Sequence, residues 1–527
     1  MGLPLEVITV TLLVALVIPF LHSLWRAFVE DLWLKPRRIR HVFERQGIKC
    51  LPYRFVIGNL PELTALSKEV QSQPLPSIKH DHCAYAIPYY YRWIHEYGDK
   101  FIFWQGAQAR FFLTDPDDVK EVLCSRSTQI SRLQRRPDMV NLVDNGLLQL
   151  EGEDWAFHRR TLNPGFLPDK LKKMVPIMAG CTMEMIEKWS SKEANEAKRH
   201  EIDVFTELKK LTADIIAHTA FGSSYAEAKQ IFELQQEQLR LAKQIGSKPF
   251  IPGLRFIPTA FHRHCWKVEK KIEELTFEMI ERRIHQRKLN QKDVHGDDLL
   301  GLMIDAMDNR ALGLDKKLSM GIADIVGETK TFFMAGHETT ATSISWTLML
   351  LAAYPEWQER VRDEARTVCD ASSVPAPGSL HRLKLLSMVL NESLRLYPPG
   401  ALMTRIANKD IRVGKTLVPK GTVIVLPIIA FHHDERYWGP DANEFRPERF
   451  SEGASKASQS SSAVFLPFST GPQFCIGQLF ALQEAKVVIA SILLRYRIMV
   501  SPRYRHSPIN YTILQPQFGV PLLFESI

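Results

Sequence analysis

The sequence predicts a mainly α-helical protein with small β-sheets, and three observations support this fold class. Helical periodicity of apolar residues dominates from about residue 119 to residue 396. One such pattern runs from Ser319 to Pro355, and a helix of that length extends roughly 50 Å, so it must cross the whole molecule. Short β-prone runs with turn residues between them occur at 410–426 and after Pro502.

The first element is an apolar stretch at residues 7–25, VITVTLLVALVIPFLHSLW. Its length is close to the roughly 20 residues that span a bilayer as a helix. Basic residues follow it and none precedes it, which argues against a secretory signal and places the rest of the chain in the cytosol. We therefore predict a single-pass membrane anchor at 1–27, a basic juxtamembrane segment and hinge at 28–50, where Pro36 breaks the chain direction, and one folded domain at 51–527. A buried N-terminal helix is the alternative.

The helices that follow have recognisable limits. Between 268 and 289, Ile272, Leu275, Met279 and Ile284 recur at helical spacing with charged residues between them. Ser319 is a plausible N-cap for the long helix, and Pro355 suits the first turn of the next one.

Composition and charge exclude several classes of protein. The chain has 527 residues, of which 45% are hydrophobic, and a formal net charge of +8. No arginine-rich stretch interleaved with aromatic residues argues for nucleic acid, so the basic excess suits a solvated surface, an acidic protein partner or an anionic membrane. Seven widely spaced cysteines without a C-x-x-C pair exclude a disulfide framework and a zinc site.

One cysteine has an unusual setting. Cys475 lies in the stretch FSTGPQFCIG, between a Gly471-Pro472 turn and Gly477, which opens a helix running to about Leu494. The N–H groups and the dipole at a helix N-terminus favour a thiolate, which serves as a nucleophile or as a metal ligand. No cysteine-hydrolase signature surrounds Cys475, whereas glycines allow the backbone to approach a large planar cofactor closely.

The stretch from Phe468 to Gly477 resembles the haem-binding signature F-x-x-G-x-R-x-C-x-G of the cytochrome P-450 family. The resemblance implies a cytochrome P-450 fold that binds haem b, with Cys475 as the axial thiolate on the iron. This sequence departs from the signature at Gln473, where the family has an arginine that pairs with a haem propionate.

Other segments resemble the family in the expected order. Glu392 and Arg395 match its E-x-x-R motif, and Arg449 in FRPERF matches the arginine that completes a buried network with them. The resemblance assigns propionate contacts to Trp155 and Arg159, in the pattern W-x-x-x-R, and to Arg405.

A further match lies in the long helix, at AGHETT. By resemblance this stretch lies beside bound oxygen, with Gly336 leaving room, Thr339 donating a hydrogen bond and Glu338 relaying protons. His337 lacks a histidine partner at helical spacing, so we reject a separate metal site there.

The resemblance also outlines a substrate pocket. Its predicted members are apolar or aromatic, as a terpenoid or steroid requires: Phe332, Phe333, Met334, Ala401, Leu402, Met403 and Leu514. The segment 127–150 would cover this pocket. Its Arg132, Arg135 and Arg136 either meet a substrate carboxylate or, as we expect, are solvated surface charges.

Together these features predict a haem-thiolate monooxygenase that hydroxylates an apolar small molecule with O2. The resemblance implies electrons from NADPH through NADPH–cytochrome P-450 reductase, and a catalytic domain held on the cytosolic side of the endoplasmic reticulum membrane. The wording of several stretches is similar to the plant membrane-bound enzymes that oxidise hormones and isoprenoids. Two alternatives are a haem-thiolate isomerase or dehydratase, which usually lacks the threonine found here at 339, and a catalytically idle paralogue, which Gln473 alone supports.

Overall fold

The computed structural model describes residues 25–124, 129–133, 146–193, 199–222, 225–246, 248, 256–289, 298–311, 320–369, 374–458 and 464–527, with residues 15, 17–19 and 22 of the N-terminal stretch. The predicted fold class, mainly α with small β-sheets, is confirmed. The α-helices of these ranges are α1 (Lys35–Glu44), α2 (Leu60–Val70), α3 (Cys83–Ala86), α4 (Pro88–Tyr97), α5 (Pro116–Cys124), α6 (Gly152–Leu162), α7 (Pro168–Glu193), α8 (Val204–Phe221), α9 (Tyr225–Gly246), α10 (Ala260–Leu289), α11 (Leu299–Ala311), α12 (Ile322–Ala353), α13 (Pro355–Cys369), α14 (Lys384–Leu396), α15 (Ile428–His432), α16 (Glu435–Trp438) and α17 (Gln478–Arg495).

The strands form small sheets beside the helices. They are β1 (Lys49–Cys50), β2 (Lys100–Gln105), β3 (Gln108–Leu113), β4 (Ile130–Arg132), β5 (Arg199–Asp203), β6 (Met403–Ala407), β7 (Ile411–Val413), β8 (Thr416–Val418), β9 (Val423–Leu426), β10 (Tyr496–Val500), β11 (Pro508–Asn510), β12 (Leu514–Pro516) and β13 (Pro521–Ser526). The largest sheet has the order β1-β2-β3-β9-β6-β4, and a second has the order β10-β13-β5. The pairs β11-β12 and β7-β8 complete the set among the described residues.

The long helix α12 organises the core. It packs along α8 and also contacts α17, α14 and β10. Nearly all side chains from Ala341 to Leu351 are buried, because the helix is surrounded by other elements along that half. The helix begins at Ile322 with Gly321 as N-cap, whose N–H donates to Asp324 Oδ2 at 2.7 Å. The predicted N-cap Ser319 lies outside the described residues, and the predicted start of α13 at Pro355 is confirmed.

The N-terminal region differs from expectation in one respect. Pro36 occupies the first turn of α1, which continues directly from a π-helical stretch at Arg26–Leu34, so the expected break is absent. A proline fits there because the first turn needs no N–H donor. Strand β1, within the predicted hinge, pairs with β2 and so belongs to the main sheet.

The predicted membrane anchor falls mostly on residues 7–24, few of which are described. Across the part of the chain that the structure describes, no helix combines the length and the apolar character needed to cross a membrane.

Candidate functional site

A cavity of about 1220 Å³ lies between the middle of α12, the loop that precedes α17, the last turn of α6 and the main sheet. Cys475 and Thr339 both line it, although they are far apart in sequence. Its volume exceeds the roughly 300–1,000 Å³ typical of a site for one small ligand, so it has room for a cofactor and a substrate together.

The cysteine loop holds Cys475 towards this cavity. Its backbone N–H donates to the Phe468 carbonyl at 2.9 Å, and the side chain is exposed on the cavity wall. Gly471 has φ +75°, and a Cβ there would collide with the Leu123 carbonyl, so the turn requires glycine. Gly477 caps α17, and a Cβ there would meet nothing closer than Phe166 at 4.0 Å, which leaves the backbone open to the cavity.

The protonation of Cys475 differs from the sequence-based expectation. Cys475 is exposed only to the cavity, and the surrounding protein shields it from bulk water, which raises the pKa of its thiol; the Gly477 N–H and the Arg159 charge only partly oppose that effect. Backbone donors at the helix start therefore do not by themselves produce the predicted thiolate. A coordinating metal ion deprotonates a thiol outright, so the expected haem iron would supply the missing positive charge.

Gln473 has a specific partner. Its Nε2 donates to Glu151 Oε2 at 3.3 Å, and the other oxygen, Glu151 Oε1, accepts the backbone N–H of Arg132 at 2.7 Å. Glu151 is the N-cap residue of α6, which carries Trp155 and Arg159. The position where the family signature has a cation is therefore tied to a carboxylate.

Three arginines line the same part of the cavity, of which Arg159 and Arg405 are buried and Arg132 is half-buried. Burial lowers the pKa of Arg132 and Arg159, and it lowers the pKa of Arg405 to about 10. Arg159 donates from Nη1 to the Phe474 carbonyl at 3.0 Å, while Arg405 donates to the Thr404 carbonyl at 2.9 Å. Arg132 of β4 lies opposite Arg405 of β6 in the strand register, and it lines the cavity. The expectation that Arg132 is a solvated surface charge was therefore wrong. Arg135 and Arg136 lie outside the described residues.

The donors in this region fit haem. Three guanidinium groups, of which those of Arg132 and Arg405 are near the charge of Glu151, present the charge-assisted donors that propionate groups accept. The indole Nε1 of Trp155 is buried and has no hydrogen-bond partner among the described residues, although Trp155 itself is outside the cavity lining. Arg159, Arg405 and Gln473 would hold the propionate side of the cofactor, and Cys475 would hold its iron.

The predicted oxygen groove lies in α12. Gly336 and Thr339 line the cavity, and a Cβ on Gly336 would lie 3.0 Å from Ile216 on α8, so α12 and α8 approach closely there. Thr339 Oγ1 donates to the Ala335 carbonyl at 2.7 Å. Glu338 faces away from the cavity and pairs with Lys209 of α8 at 3.4 Å.

The network of Glu392, Arg395 and Arg449 is assembled in the structure. Arg395 forms two hydrogen bonds with Glu392, at 2.7 and 2.8 Å, and both side chains are fully buried. Arg449 Nε lies 3.6 Å from Glu392 Oε1. Arg395 also donates to the carbonyls of His432 and Ala442, so it ties α14 to the segment that precedes the cysteine loop.

The predicted substrate pocket is only partly correct. Phe332, Leu402 and Met403 line the cavity. Phe333 instead packs in the core at 4.4 Å from Phe221, because it is one helical position away from the cavity face of α12. Three further members of the predicted pocket also lie outside the lining, namely Met334, Ala401 and Leu514.

Packing explains these corrections. The carbonyl of Leu514 accepts a hydrogen bond from Trp346 Nε1 at 3.2 Å, which turns β12 towards the core, and Thr512 lines the cavity in its place. Ala401 belongs to the connection between α14 and β6, and it is only 1% exposed. Helical spacing from Phe332 would have indicated Ala335 and Ser343, which line the cavity and were missed.

Comparison with known proteins agrees with this site. The cytochrome P-450 family profile matches residues 87–523. The chain is 39% identical over 504 residues to cytochrome P-450 734A6 of Oryza sativa subsp. japonica, which covers 94% of this chain and 93% of that protein. It is 38% identical over 525 residues to a cytokinin hydroxylase of Arabidopsis thaliana, covering 98% and 99%. It is 40% identical over 503 residues to cytochrome P-450 CYP72A616 of Paris polyphylla, covering 95% and 96%.

Proposed function

Because the chain belongs to the cytochrome P-450 family of haem-thiolate monooxygenases, we propose that it hydroxylates an apolar small molecule of terpenoid, steroid or isoprenoid type. The observation that carries this proposal is the shared cavity of Cys475 and Thr339. Cys475 would hold the haem iron, and the bound haem would supply the activation of O2. Delivery of protons and binding of the substrate depend on side chains of the protein.

The residues of α12 suit the delivery of protons. Thr339 lines the cavity, and its hydroxyl hydrogen is donated to the Ala335 carbonyl. The lone pairs of Oγ1 can therefore accept a hydrogen bond from a donor in the cavity. Glu338 is 16% exposed and pairs with Lys209, which is 23% exposed. Glu338 precedes Thr339 in the chain but faces away from the cavity, so a proton relayed by Glu338 has to pass around the helix turn that carries Thr339.

The cavity wall suits an apolar substrate. Phe332 stacks on Phe166 at 5.7 Å, and Leu402, Met403 and Ile216 add aliphatic surface. Such walls exclude water, and a hydrocarbon ligand is stabilised by about 25 cal/mol for each Å² of apolar surface that it buries against them. Two relatives are named cytokinin hydroxylase, so cytokinins are the first compounds to screen.

We further infer that electrons come from NADPH through NADPH–cytochrome P-450 reductase, and that residues 1–27 anchor the enzyme in the endoplasmic reticulum membrane with residues 51–527 as the cytosolic catalytic domain. The apolar run at 7–25 with basic residues after it supports this orientation. Deletion of residues 1–27 should release much of the protein from the membrane pellet with its haem retained. Full retention in the pellet would contradict the proposed anchor.

The function is tested by reconstitution of the full chain with the reductase, NADPH and a panel of isoprenoid and steroid compounds. We expect a product that gains one oxygen atom, and isotopically labelled O2 should supply it. Product formed without NADPH and reductase would instead favour an isomerase or dehydratase, and haem binding without any turnover across a broad panel would favour an idle paralogue.

A further inference from the structure

The charges on the cavity wall are strongly unbalanced. Among the described residues that line it, one is acidic, Asp31, and six are basic: Lys35, Arg110, Arg132, Arg159, Lys248 and Arg405. The arginines at 132, 159 and 405 form the group assigned above to the propionate side of the cofactor. Arg110 lies in β3, whereas Arg132, Arg159 and Arg405 lie in β4, α6 and β6.

Arg110 is held at the cavity by the main sheet. It lies in β3, where its register partners are Phe103 of β2 and Val423 of β9. Val423 in turn pairs with Ile406 of β6, and Ile406 lines the cavity. Partners in register share one face of a sheet, so Arg110 stands on the face that borders the cavity.

Arg110 is half-buried at the cavity wall and has no acidic partner among the described residues. Its Nε is buried without a hydrogen bond, and no ion pair or hydrogen bond of its side chain occurs within the described ranges. The ionisable groups that act on it are the phenols of Tyr89 and Tyr90, whose rings lie 4.3 Å apart and whose pKa values are raised by burial, so both are neutral. Burial also lowers the pKa of Arg110 itself, because removal from water disfavours the charged form of the guanidinium.

A buried cation without a counter-ion is expensive, and it becomes favourable when a ligand supplies the opposite charge. A planar guanidinium matches the geometry of a carboxylate and can donate two parallel hydrogen bonds to it. We propose that Arg110 binds the carboxylate of an amphiphilic substrate whose hydrocarbon body extends through the cavity towards Cys475. This inference rests on the proposed function and narrows its substrate class to apolar carboxylic acids.

The test uses the full-length holoenzyme and isothermal titration calorimetry, which needs neither turnover nor reductase. The probes are two matched pairs, lauric acid with methyl laurate and abietic acid with methyl abietate. We expect at least one acid to bind roughly tenfold more tightly than its ester, as one charge-assisted contact provides. Arg110→Met should remove that preference while the affinity for the ester changes less than about twofold.

Two further variants make the result specific. Arg110→Lys keeps the charge and should retain part of the preference for the acid, even if Arg110→Met fails to fold. Arg412→Met removes an exposed arginine of β7 outside the cavity and should change neither affinity. Equal binding of acids and esters by the wild type, or an unchanged acid affinity in Arg110→Met, overturns the proposal.

The carbon monoxide difference spectrum of the same preparation separates the two hypotheses. A normal thiolate spectrum without a preference for acids overturns the role of Arg110 and leaves the monooxygenase function standing. A preference for acids without a thiolate spectrum supports the role of Arg110 and overturns the monooxygenase function.

Discussion

Gln473 Nε2 donates a hydrogen bond to Glu151 Oε2 at 3.3 Å, which links the cysteine loop to the first turn of α6. In the family signature an arginine occupies this position and supplies a positive charge to a propionate. Here a neutral amide bonds to a carboxylate that also accepts the Arg132 N–H. The positive charge for a propionate would therefore come from Arg159 and Arg405, together with Arg132, which line this side of the cavity.

Gln473→Arg should slow the loss of haem. The new guanidinium would pair with Glu151 and also offer a charged donor to a propionate, and such a bond contributes about 1.5–3 kcal/mol. Transfer of haem to an apo-globin acceptor measures the rate. Gln473→Glu is the matched control, because repulsion from Glu151 should accelerate the loss. Faster haem loss from Gln473→Arg would show that the pocket is adapted to glutamine.

Arg395→Ala should prevent stable folding of the holoenzyme. It leaves the fully buried Glu392 without its main partner, and breaking a buried ion pair from one side costs about 3–5 kcal/mol. Arg366→Ala removes an exposed pair with Asp363 and should cost less than about 1 kcal/mol. Thermal melting and haem content compare the two variants, and equal losses would contradict a structural role for the buried network.

Thr339→Ala should bind haem and substrate normally but divert electrons from NADPH into peroxide. The variant removes the hydroxyl that α12 presents at the cavity. Thr342→Ala is the control, since Thr342 makes the same backbone bond, to Glu338, away from the cavity. The ratio of product formed to NADPH consumed decides the matter, and an unchanged ratio in Thr339→Ala would exclude its predicted role.

A cluster of buried histidines should make the fold sensitive to acid. Burial lowers the pKa of His80 to about 3 and of His433 and His506 to about 4, from the ordinary 6.5, and it lowers the pKa of His82 as well. Below about pH 6.5 the unfolded chain takes up protons that the folded chain does not bind. The free energy of unfolding should therefore be full above pH 6.5 and should decrease as the pH falls towards about 4.

Urea unfolding at several pH values between these limits measures that slope. His82→Phe should flatten it, because both ring nitrogens of His82 lack hydrogen-bond partners among the described residues. The ring makes aromatic contacts that a phenyl ring can keep, stacked on Tyr397 at 4.5 Å and edge-on to His433 at 4.9 Å. His285→Gln changes an exposed histidine and should leave the slope unchanged. A slope that is the same in all three proteins would refute the account of the cluster.

Local patterns predicted the helices well and the site only in part. The spacing of apolar residues found α10 and α12, since burial of one face imposes the helical period. The strands β2 and β3 were missed because KFIFWQ and QARFFL are nearly continuous apolar runs without alternation. The pairing of Gln473 with Glu151 depends on a contact across more than 300 residues, which no local pattern contains.

The residues of the pocket were likewise predicted only in part. Positions 332, 333 and 339 were all assigned through the family resemblance; 332 and 339 lie on the cavity face of α12, whereas Phe333 lies in the core. Arg110 was not singled out, since an arginine in a short strand gives no sign of burial until the sheet and the cavity are assembled.

The central claim is that Cys475 provides the thiolate ligand of a haem iron in this cavity. The most direct measurement is the carbon monoxide difference spectrum of the reduced full-length protein, compared with that of Cys475→Ala. The account predicts a red-shifted carbonyl Soret band in the wild type and its loss in the variant. A red-shifted band that persists in Cys475→Ala would contradict the claim.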